Sequence, residues 1–204
     1  MLTLHQMQDS GNCYKLRLLL AQLGVPFQVR DVDILKGESR SAEFIAKNPN
    51  GRVPVLELED GRLLPESNAG LFYLSDGSAY LPSDAWQRAQ VLQWLFFEQY
   101  SHEPYIAVAR FWWSIKPGGR QEKRDRFPEW HERGYQAIAV MERHLQSNAF
   151  FVGGRYSIAD IALYAYTHIA AEGGFDIAGF PEVRAWLARI SAQKGHVPMS
   201  WRPQ

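Results

Sequence analysis

The first residues that could do chemistry lie where the opening strand pattern gives way to a helix pattern, in Ser10-Gly11-Asn12-Cys13. A hydroxyl at this turn lies near the N-terminus of the helix, where free N–H groups and the helix dipole stabilise an anion. Cys13 places a thiol in the same turn, and such a position can lower the pKa of a thiol. Taken alone, the pattern is also that of an ordinary turn.

The next chemical feature is Val53-Pro54, at the start of a predicted strand. Proline there removes a ladder donor, so it belongs at an edge or in a special conformation. A cis bond would turn the Val53 backbone outward, where its N–H and C=O can pair with an extended peptide ligand. An ordinary trans proline on an edge strand is the alternative.

A third feature follows in Pro65-Glu66-Ser67. Ser67 is the expected N-cap of a helix, so free N–H groups should point to this spot and favour a carboxylate. Glu66 beside it suits an ammonium group. Together they suit the head group of an amino acid. A plain helix cap beside a surface glutamate is equally compatible with this sequence.

These features need elements to position them, and the first third of the chain alternates strand and helix patterns. Asn12 is the expected N-cap of the first helix, and Asp60-Gly61 predicts a tight type I′ hairpin that makes the last strands antiparallel. The order predicts an α/β domain with a mixed sheet. Strands are predicted over 2–5, 27–32, 53–58 and 63–64, and helices over 13–23, 41–47 and 67–74.

Strand patterns stop after Ser75, and a turn-rich linker over 77–85 precedes an all-helical region. In the third predicted helix of this region, Ser157 and Asp160 have the spacing of a capping box, a structural role. The domains are therefore placed at 1–76 and 86–204. Helices are predicted over 86–115, with a bend near Pro104, and over 120–146, 157–171 and 181–193.

Composition narrows the function classes. Lys+Arg and Asp+Glu both number 22, so no net charge points to nucleic acid or an anionic membrane. The lone Cys13 excludes an intrachain disulfide, and neither a signal peptide nor a membrane-spanning stretch is expected, which favours a cytoplasmic protein. Nucleotide-binding, zinc-protease and CxxC motifs are missing, and the six histidines show no metal-ligand spacing, so no metal is expected.

In this order, the motifs resemble the cytosolic glutathione transferase family over essentially the whole chain. The resemblance implies a thioredoxin-like glutathione-binding domain over 1–76 and an all-helical domain for a second substrate over 86–204. The matching segments are Ser10 to Lys15, Asn48 to Leu56, Glu66-Ser67 and Gly153 to Ala162.

The resemblance also implies the contacts to glutathione, the co-substrate. The Val53 backbone would pair with the cysteinyl unit, and Glu66 and Ser67 would hold the γ-glutamyl end. Arg52 and Ser39 lie where the family reaches toward the glycyl carboxylate. The implied contact residues are Ser39, Arg52, Val53, Pro54 (in a cis bond), Glu66 and Ser67.

Ser10 takes the catalytic position of the family, matching the serine of theta-like and zeta-like classes. It would donate a hydrogen bond to the glutathione sulfur and favour the thiolate. Cys13 is the competing candidate, since a reactive thiol there would form a mixed disulfide with glutathione and perform thiol-disulfide exchange. A non-catalytic binding module of the same fold is a further alternative.

A small electrophile as second substrate, a role in detoxification and a homodimer also follow from the resemblance. In the dimer, the first domain of one chain would face the helical domain of the other. The second-substrate pocket should draw its walls from the aromatic residues of the long helices, whose inner stripe the sequence does not single out. These are Trp94, Phe97, Tyr100, Tyr105, Phe111 and Trp112.

Overall fold

The computed structural model describes residues 1–203; Gln204, the last residue assigned to the helical domain, lies outside them. The chain forms two compact units, one of residues 1–76 together with 194–203 and the other of residues 77–193. No helix among the described residues is long and apolar enough to cross a bilayer.

The first unit has the predicted α/β composition. Its strands are β1 (Leu2–Gln6), β2 (Phe27–Asp31), β3 (Val55–Glu57) and β4 (Leu63–Pro65), and its helices are α1 (Gly11–Leu23), α2 (Ala42–Lys47) and α3 (Ser67–Leu74). Two short 3-10 turns, Ile34–Lys36 and Glu38–Arg40, lie between β2 and α2.

The four strands form one sheet in the order β2-β1-β3-β4. β1 and β2 are parallel, whereas β3 runs antiparallel to β1 and β4 antiparallel to β3, which confirms the predicted mixed sheet. Leu4 and Leu56, which pair across β1 and β3, are both fully buried. The core of this unit therefore lies on the central strands.

The hairpin between β3 and β4 differs from the predicted type I′ turn. That turn needs positive φ at two consecutive residues, but in this loop only Gly61 has it, at 82°. The Gly61 amide donates to the Leu58 carbonyl at 3.0 Å, and the Leu58 amide donates to the Arg62 carbonyl at 2.8 Å. The longer loop leaves Asp60 in an ordinary conformation, and its carboxylate accepts from the Arg62 amide.

The second unit is helical, and its long first segment is interrupted where a bend was expected near Pro104. A π-turn over Glu98–His102 precedes α5, and a second π-turn over Phe111–Ile115 follows it. The helices of this unit are α4 (Ala85–Phe97), α5 (Glu103–Arg110), α6 (Gly119–Glu122), α7 (Phe127–Leu145), α8 (Ile158–Thr167) and α9 (Pro181–Ser191), with 3-10 turns at Arg124–Arg126 and Ala170–Gly173.

The centre of the second unit is α8, all of whose residues are buried. The predicted capping box at its start is confirmed, because the fully buried Asp160 carboxylate accepts from the Ser157 amide at 2.9 Å. The same carboxylate also accepts from the Phe151 amide and from the Trp186 indole N–H. Burial raises the pKa of Asp160 to about 6.

The chain end departs from its assignment to the helical domain, because residues 194–203 pack with the first unit. Carbonyls of this tail accept hydrogen bonds from α1: Val197 from the Tyr14 hydroxyl at 2.7 Å and Met199 from the Arg17 guanidinium at 3.0 Å. Arg17 is fully buried, so it needs such acceptors. The Met199 carbonyl of the tail is one of these acceptors, and the Gln8 carbonyl is another.

Candidate active site

The strand register brings the three chemical motifs to one end of the sheet. His5, near the end of β1, pairs with Val55 at the start of β3, and Val55 also pairs with Pro65 at the end of β4. The turn after β1, the loop before β3 and the segment after β4 therefore emerge at the same edge. These segments carry Ser10, Val53 and Glu66-Ser67 respectively.

Ser10, and not Asn12 as predicted, is the N-cap of α1. Its backbone is extended (φ −84°, ψ 121°), and its Oγ accepts a hydrogen bond from the Cys13 amide at 3.3 Å. Asn12 lies in the first turn of the helix, since α1 begins at Gly11. A hydroxyl that accepts this bond keeps its proton to donate. The Cys13 thiol lies within its reach: burial raises the pKa of that thiol, and a hydrogen bond with the Ser10 side chain partly opposes the rise.

The Cys13 side chain points into the first unit and is fully buried. Its Sγ accepts a hydrogen bond from the Met7 amide at 3.4 Å. Burial raises the pKa of the Cys13 thiol above its ordinary value. The thiol therefore carries little of the thiolate character that reactive cysteines require.

The Val53–Pro54 peptide bond is cis. β3 begins at Val55, two residues later than the strand predicted from the sequence, so Val53 enters none of the strand pairs. The side-chain NH₂ group of Asn48 donates a hydrogen bond to the Arg52 carbonyl at 2.8 Å, directly before Val53. The Val53 backbone is thus outside the ladder, as a peptide-binding backbone must be.

Glu66, and not Ser67, occupies the N-cap of α3, so the sequence-based capping assignment is wrong. Glu66 has φ 71°, the one positive φ of a non-glycine residue in the described chain. Such a conformation costs on the order of 1–3 kcal/mol and is typical of ligand clamps. Ser67 is the first helical residue and is nearly fully buried.

Sequence reasoning missed Lys15, whose side chain reaches the start of α3 from α1. Its Nζ donates to Ser67 Oγ at 3.3 Å and to Asn68 Oδ1 at 3.2 Å. The Ser67 hydroxyl in turn donates to Asn12 Oδ1 at 3.2 Å. The only signal in the sequence was a lysine inside an otherwise leucine-rich helix. This network joins the first turns of α1 and α3.

Ser39 and Arg52 lie on neighbouring loops. Ser39 is buried in the 3-10 turn Glu38–Arg40, and its carbonyl oxygen lies against Gly51, where a Cβ would stand only 2.9 Å from it. The Arg40 guanidinium donates to the Asn50 carbonyl at 2.9 Å and joins the two loops. Arg52 is exposed at their edge.

The aromatic residues of the helical unit differ in their surroundings. Trp94 is buried and packs on Phe97 and Phe151, whereas Tyr100 is 85% exposed. A cleft of about 670 Å³ is lined in part by Phe97, Tyr100 and Tyr105. Phe111 and Trp112 pack edge to face at 5.4 Å.

No group of three or more histidine, cysteine or acidic side chains in residues 1–203 is arranged to hold a metal ion. The groups that meet at this end of the sheet are the Ser10 hydroxyl, the Val53 backbone, the start of α3, the Glu66 carboxylate and the buried Lys15 ammonium. Such a set can bind a peptide-like molecule with charged ends and stabilise one anionic atom next to Ser10.

A thioredoxin-like unit with this edge site, followed by an all-helical unit, defines the fold class of the glutathione transferases. Residues 1–76 match the family model for the glutathione S-transferase N-terminal domain, and residues 92–194 match that for the C-terminal domain. The chain belongs to the glutathione S-transferase family, and it is a glutathione transferase.

Solved structures agree with this membership. The chain is similar to a possible glutathione S-transferase from Rhodopseudomonas palustris, with 49% identity and a TM-score of 0.97 over 100% of this chain and 91% of that one. It is also similar to the glutathione S-transferase from Pseudomonas fluorescens Pf-5, with 54% identity and a TM-score of 0.94 over 97% and 98%.

A curated relative has a different activity in its name. The chain is 27% identical, over 189 residues, to the disulfide-bond oxidoreductase YfcG of Escherichia coli K12, covering 89% of this chain and 86% of the relative.

Proposed function

We propose that Ser10 is the group through which this glutathione transferase activates the thiol of its co-substrate. The observation that carries the proposal is the position of the Ser10 hydroxyl: it caps α1 by accepting from the Cys13 amide and keeps its proton to donate. A thiolate held at the sheet edge would receive that proton in a hydrogen bond, next to the positive end of the α1 dipole.

Glutathione would bind along the edge in an extended form. The Val53 backbone, outside the strand ladder, would pair with the cysteinyl unit. The amide groups at the start of α3 and the Ser67 hydroxyl would bind the γ-glutamyl carboxylate, with the Glu66 carboxylate on its ammonium. Arg52 and Ser39 would take the glycyl carboxylate at the far end.

The required stabilisation is of the size that these groups supply. Lowering a thiol pKa by about two units from about 8.5 takes about 2.7 kcal/mol. One charge-assisted hydrogen bond contributes about 1.5–3 kcal/mol, and a helix terminus adds about 0.3–1 kcal/mol. The thiolate then forms a C–S bond with an electrophilic carbon, the leaving group departs with its electron pair, and the thiol proton goes to solvent.

The experiment is Ser10→Ala, compared with wild type in the pH dependence of thiolate absorbance of bound glutathione. The variant should raise the pKa of the bound thiol by one to two units, about 1.4–2.7 kcal/mol. Conjugation of an aryl halide at neutral pH should fall, while glutathione affinity changes little, because the lost hydrogen bond is made to the thiolate.

Cys13→Ala is the matched control and should remain near wild type, since the buried thiol does not meet the ligand. The reverse pattern, with activity lost in Cys13→Ala and a glutathione adduct found by mass spectrometry, would contradict the assignment. Failure of the protein to bind glutathione at millimolar concentration would also contradict the assignment.

Glutathione-dependent disulfide exchange is the second candidate, because a relative of similar length is a disulfide-bond oxidoreductase. The burial of Cys13 and its raised pKa weigh against a role for that thiol. A binding module without turnover is the third reading. It predicts no thiolate signal from bound glutathione and no effect of Ser10→Ala.

The resemblance to the family also suggests where this glutathione transferase works and how it assembles. We place it in the cytoplasm as a homodimer that conjugates small electrophiles in detoxification. The exposed Leu92 and Phe96, four residues apart on α4, support a subunit contact on that helix face.

A further inference from the structure

The tail of the chain, residues 194–203, meets the turn between β1 and α1 (residues 7–10, the Ser10 turn). Gln8, in the middle of this turn, donates through its side-chain Nε2 to the Met199 carbonyl at 2.7 Å and to the Trp201 carbonyl at 3.2 Å. Both acceptors are backbone groups of the tail. The far end of the chain therefore contacts the segment that carries the proposed activating hydroxyl.

A buried guanidinium joins the same two segments. Arg17 of α1 is fully buried, and its Nη2 donates to the Gln8 carbonyl at 2.8 Å and to the Met199 carbonyl at 3.0 Å. Its Nη1 donates to Gln6 Oε1, and the Gln6 side-chain NH₂ group donates to Gln8 Oε1 at 3.1 Å. The backbone carbonyl and the side-chain amide of Gln8 are thus both held, in a network where losing one bond leaves a buried polar group without that partner.

The tail is itself fixed on the first unit. The Trp201 ring packs against Phe27 of β2 with ring centroids 6.1 Å apart, and the fully buried Tyr14 of α1 donates its hydroxyl proton to the Val197 carbonyl at 2.7 Å. Within the tail, the Trp201 amide donates to the Pro198 carbonyl at 2.9 Å and closes a turn. These contacts hold the two acceptor carbonyls in place beside the Ser10 turn.

The conformation of the Ser10 turn sets where the Ser10 hydroxyl lies. The Ser10 amide donates to the Met7 carbonyl at 3.1 Å, and the Met7 amide donates to Cys13 Sγ at 3.4 Å, so the turn is closed on the start of α1. Because Gln8 lies between Met7 and Ser10, a shift of Gln8 also shifts the serine. A hydrogen bond weakens steeply as its angle departs from linearity, and a misplacement of about 1 Å can cost about 100-fold in rate.

We propose that the tail is a positioning element of the active site: its carbonyls fix Gln8 and, through Gln8, hold the Ser10 hydroxyl where it donates to the glutathione thiolate. Gln8 is a positioning residue that acts through Ser10. The inference rests on the proposed role of Ser10 and adds that residues about 190 positions further along the chain control the ionisation of the bound thiol.

The test begins with Gln8→Met, which keeps the length of the side chain and removes its amide. The pKa of the bound glutathione thiol, measured from the pH dependence of thiolate absorbance, should rise by about half a unit to one unit. At a pH below that pKa, kcat should fall about three- to tenfold, while the KM for glutathione changes less than about twofold. Trp201→Ala, which removes the ring contact of the tail, should shift both quantities in the same direction.

Gln28→Met is the matched control, because it removes the same amide from an exposed position on β2. The pKa of the bound thiol should not change in this variant. Circular dichroism checks that each protein is folded, and Trp201→Ala supplies the test on its own if Gln8→Met does not fold.

A Ser10→Ala background separates positioning from general damage to the fold. There Gln8→Met should cause no further rise in the pKa of the bound thiol, because the hydroxyl that it positions is gone. A further rise in that background, or an unchanged pKa in either folded single variant, would overturn the positioning role and leave the role of Ser10 intact. An unchanged pKa in Ser10→Ala alone would instead overturn the proposed function, and this inference with it.

Discussion

At the scale of single residues, Ser10 and Cys13 are three positions apart but differ in what their side chains reach. The serine lies before the helix, and its Oγ accepts a hydrogen bond from the Cys13 amide, which leaves its proton to be donated. The cysteine lies inside the first turn and its thiol is directed into the core. This difference in position and burial is the reason that the hydroxyl, and not the buried thiol, is proposed to activate glutathione.

This difference predicts the reactivity of Cys13 toward alkylation. Iodoacetamide should modify native Cys13 at least about 100-fold more slowly than free glutathione at pH 8, because burial blocks access and raises the pKa of the thiol. Intact mass spectrometry measures it without ambiguity, since the chain has a single cysteine. The protein unfolded in guanidinium chloride is the control and should react at the free-thiol rate; equal rates for native and unfolded protein would place the thiol at the surface.

At the scale of elements, α8 depends on the carboxylate at its start. Asp160 is fully buried, and its carboxylate accepts hydrogen bonds from the backbone amides of Ser157 and Phe151 and from the Trp186 indole N–H. These bonds satisfy a free amide near the helix start and join the helix to the loop before it and to α9. The element at the centre of the helical unit is thus positioned by one side chain.

Asp160→Asn should lower the free energy of unfolding by about 2–4 kcal/mol at neutral pH, measured by urea denaturation. An amide has one acceptor oxygen, so its NH₂ group would face an N–H donor in a buried place. Asp125→Asn is the control, since Asp125 is 88% exposed and should change stability by less than about 0.5 kcal/mol.

The pH dependence gives the same variant a second readout. The pKa of Asp160 is raised to about 6 in the folded protein, above its ordinary value of 3.8, so the folded state binds the proton more tightly between these values. The stability contributed by this group is therefore full below pH 3.8 and falls as the pH rises through 6. The stability difference between wild type and Asp160→Asn should shrink over that window, and a difference that grew with pH would refute the raised pKa.

At the scale of the whole molecule, the proposed homodimer would use the exposed apolar side chains near the end of α4. Large apolar side chains remain exposed on α4 and just beyond it: Leu92 at 36%, Phe96 at 68% and Tyr100 at 85%. Spacing of four residues places the first two on one helix face. Clustered exposed apolar side chains of this kind mark interaction surfaces.

Phe96→Glu should therefore convert the proposed homodimer into a monomer at micromolar concentration. Light scattering should give twice 23.4 kDa for wild type and 23.4 kDa for the variant. Leu35→Glu, at a residue 40% exposed in the first unit, places the same charge elsewhere and should stay dimeric. A wild-type protein seen only at 23.4 kDa would refute the dimer.

The sequence by itself determined the features that depend on neighbours along the chain. Strand and helix patterns predicted the mixed sheet and the helical unit, and the Ser157–Asp160 spacing predicted the capping box. The motif order resembled the family that the domain matches then showed. These succeed because periodicity and capping follow from local backbone geometry.

Only the tertiary structure decided the features that depend on distant contacts. The sequence predicted Asn12 and Ser67 as the N-caps of α1 and α3, whereas the N-caps are Ser10 and Glu66. The exact start of a helix depends on how the preceding strand or loop is packed. The sequence did not indicate that the Lys15 ammonium donates to Ser67 and Asn68 at the first turn of α3. The chain end joins the first unit for the same reason: the buried Arg17 finds one of its acceptors, the Met199 carbonyl, far along the chain. No local pattern encodes such a pairing.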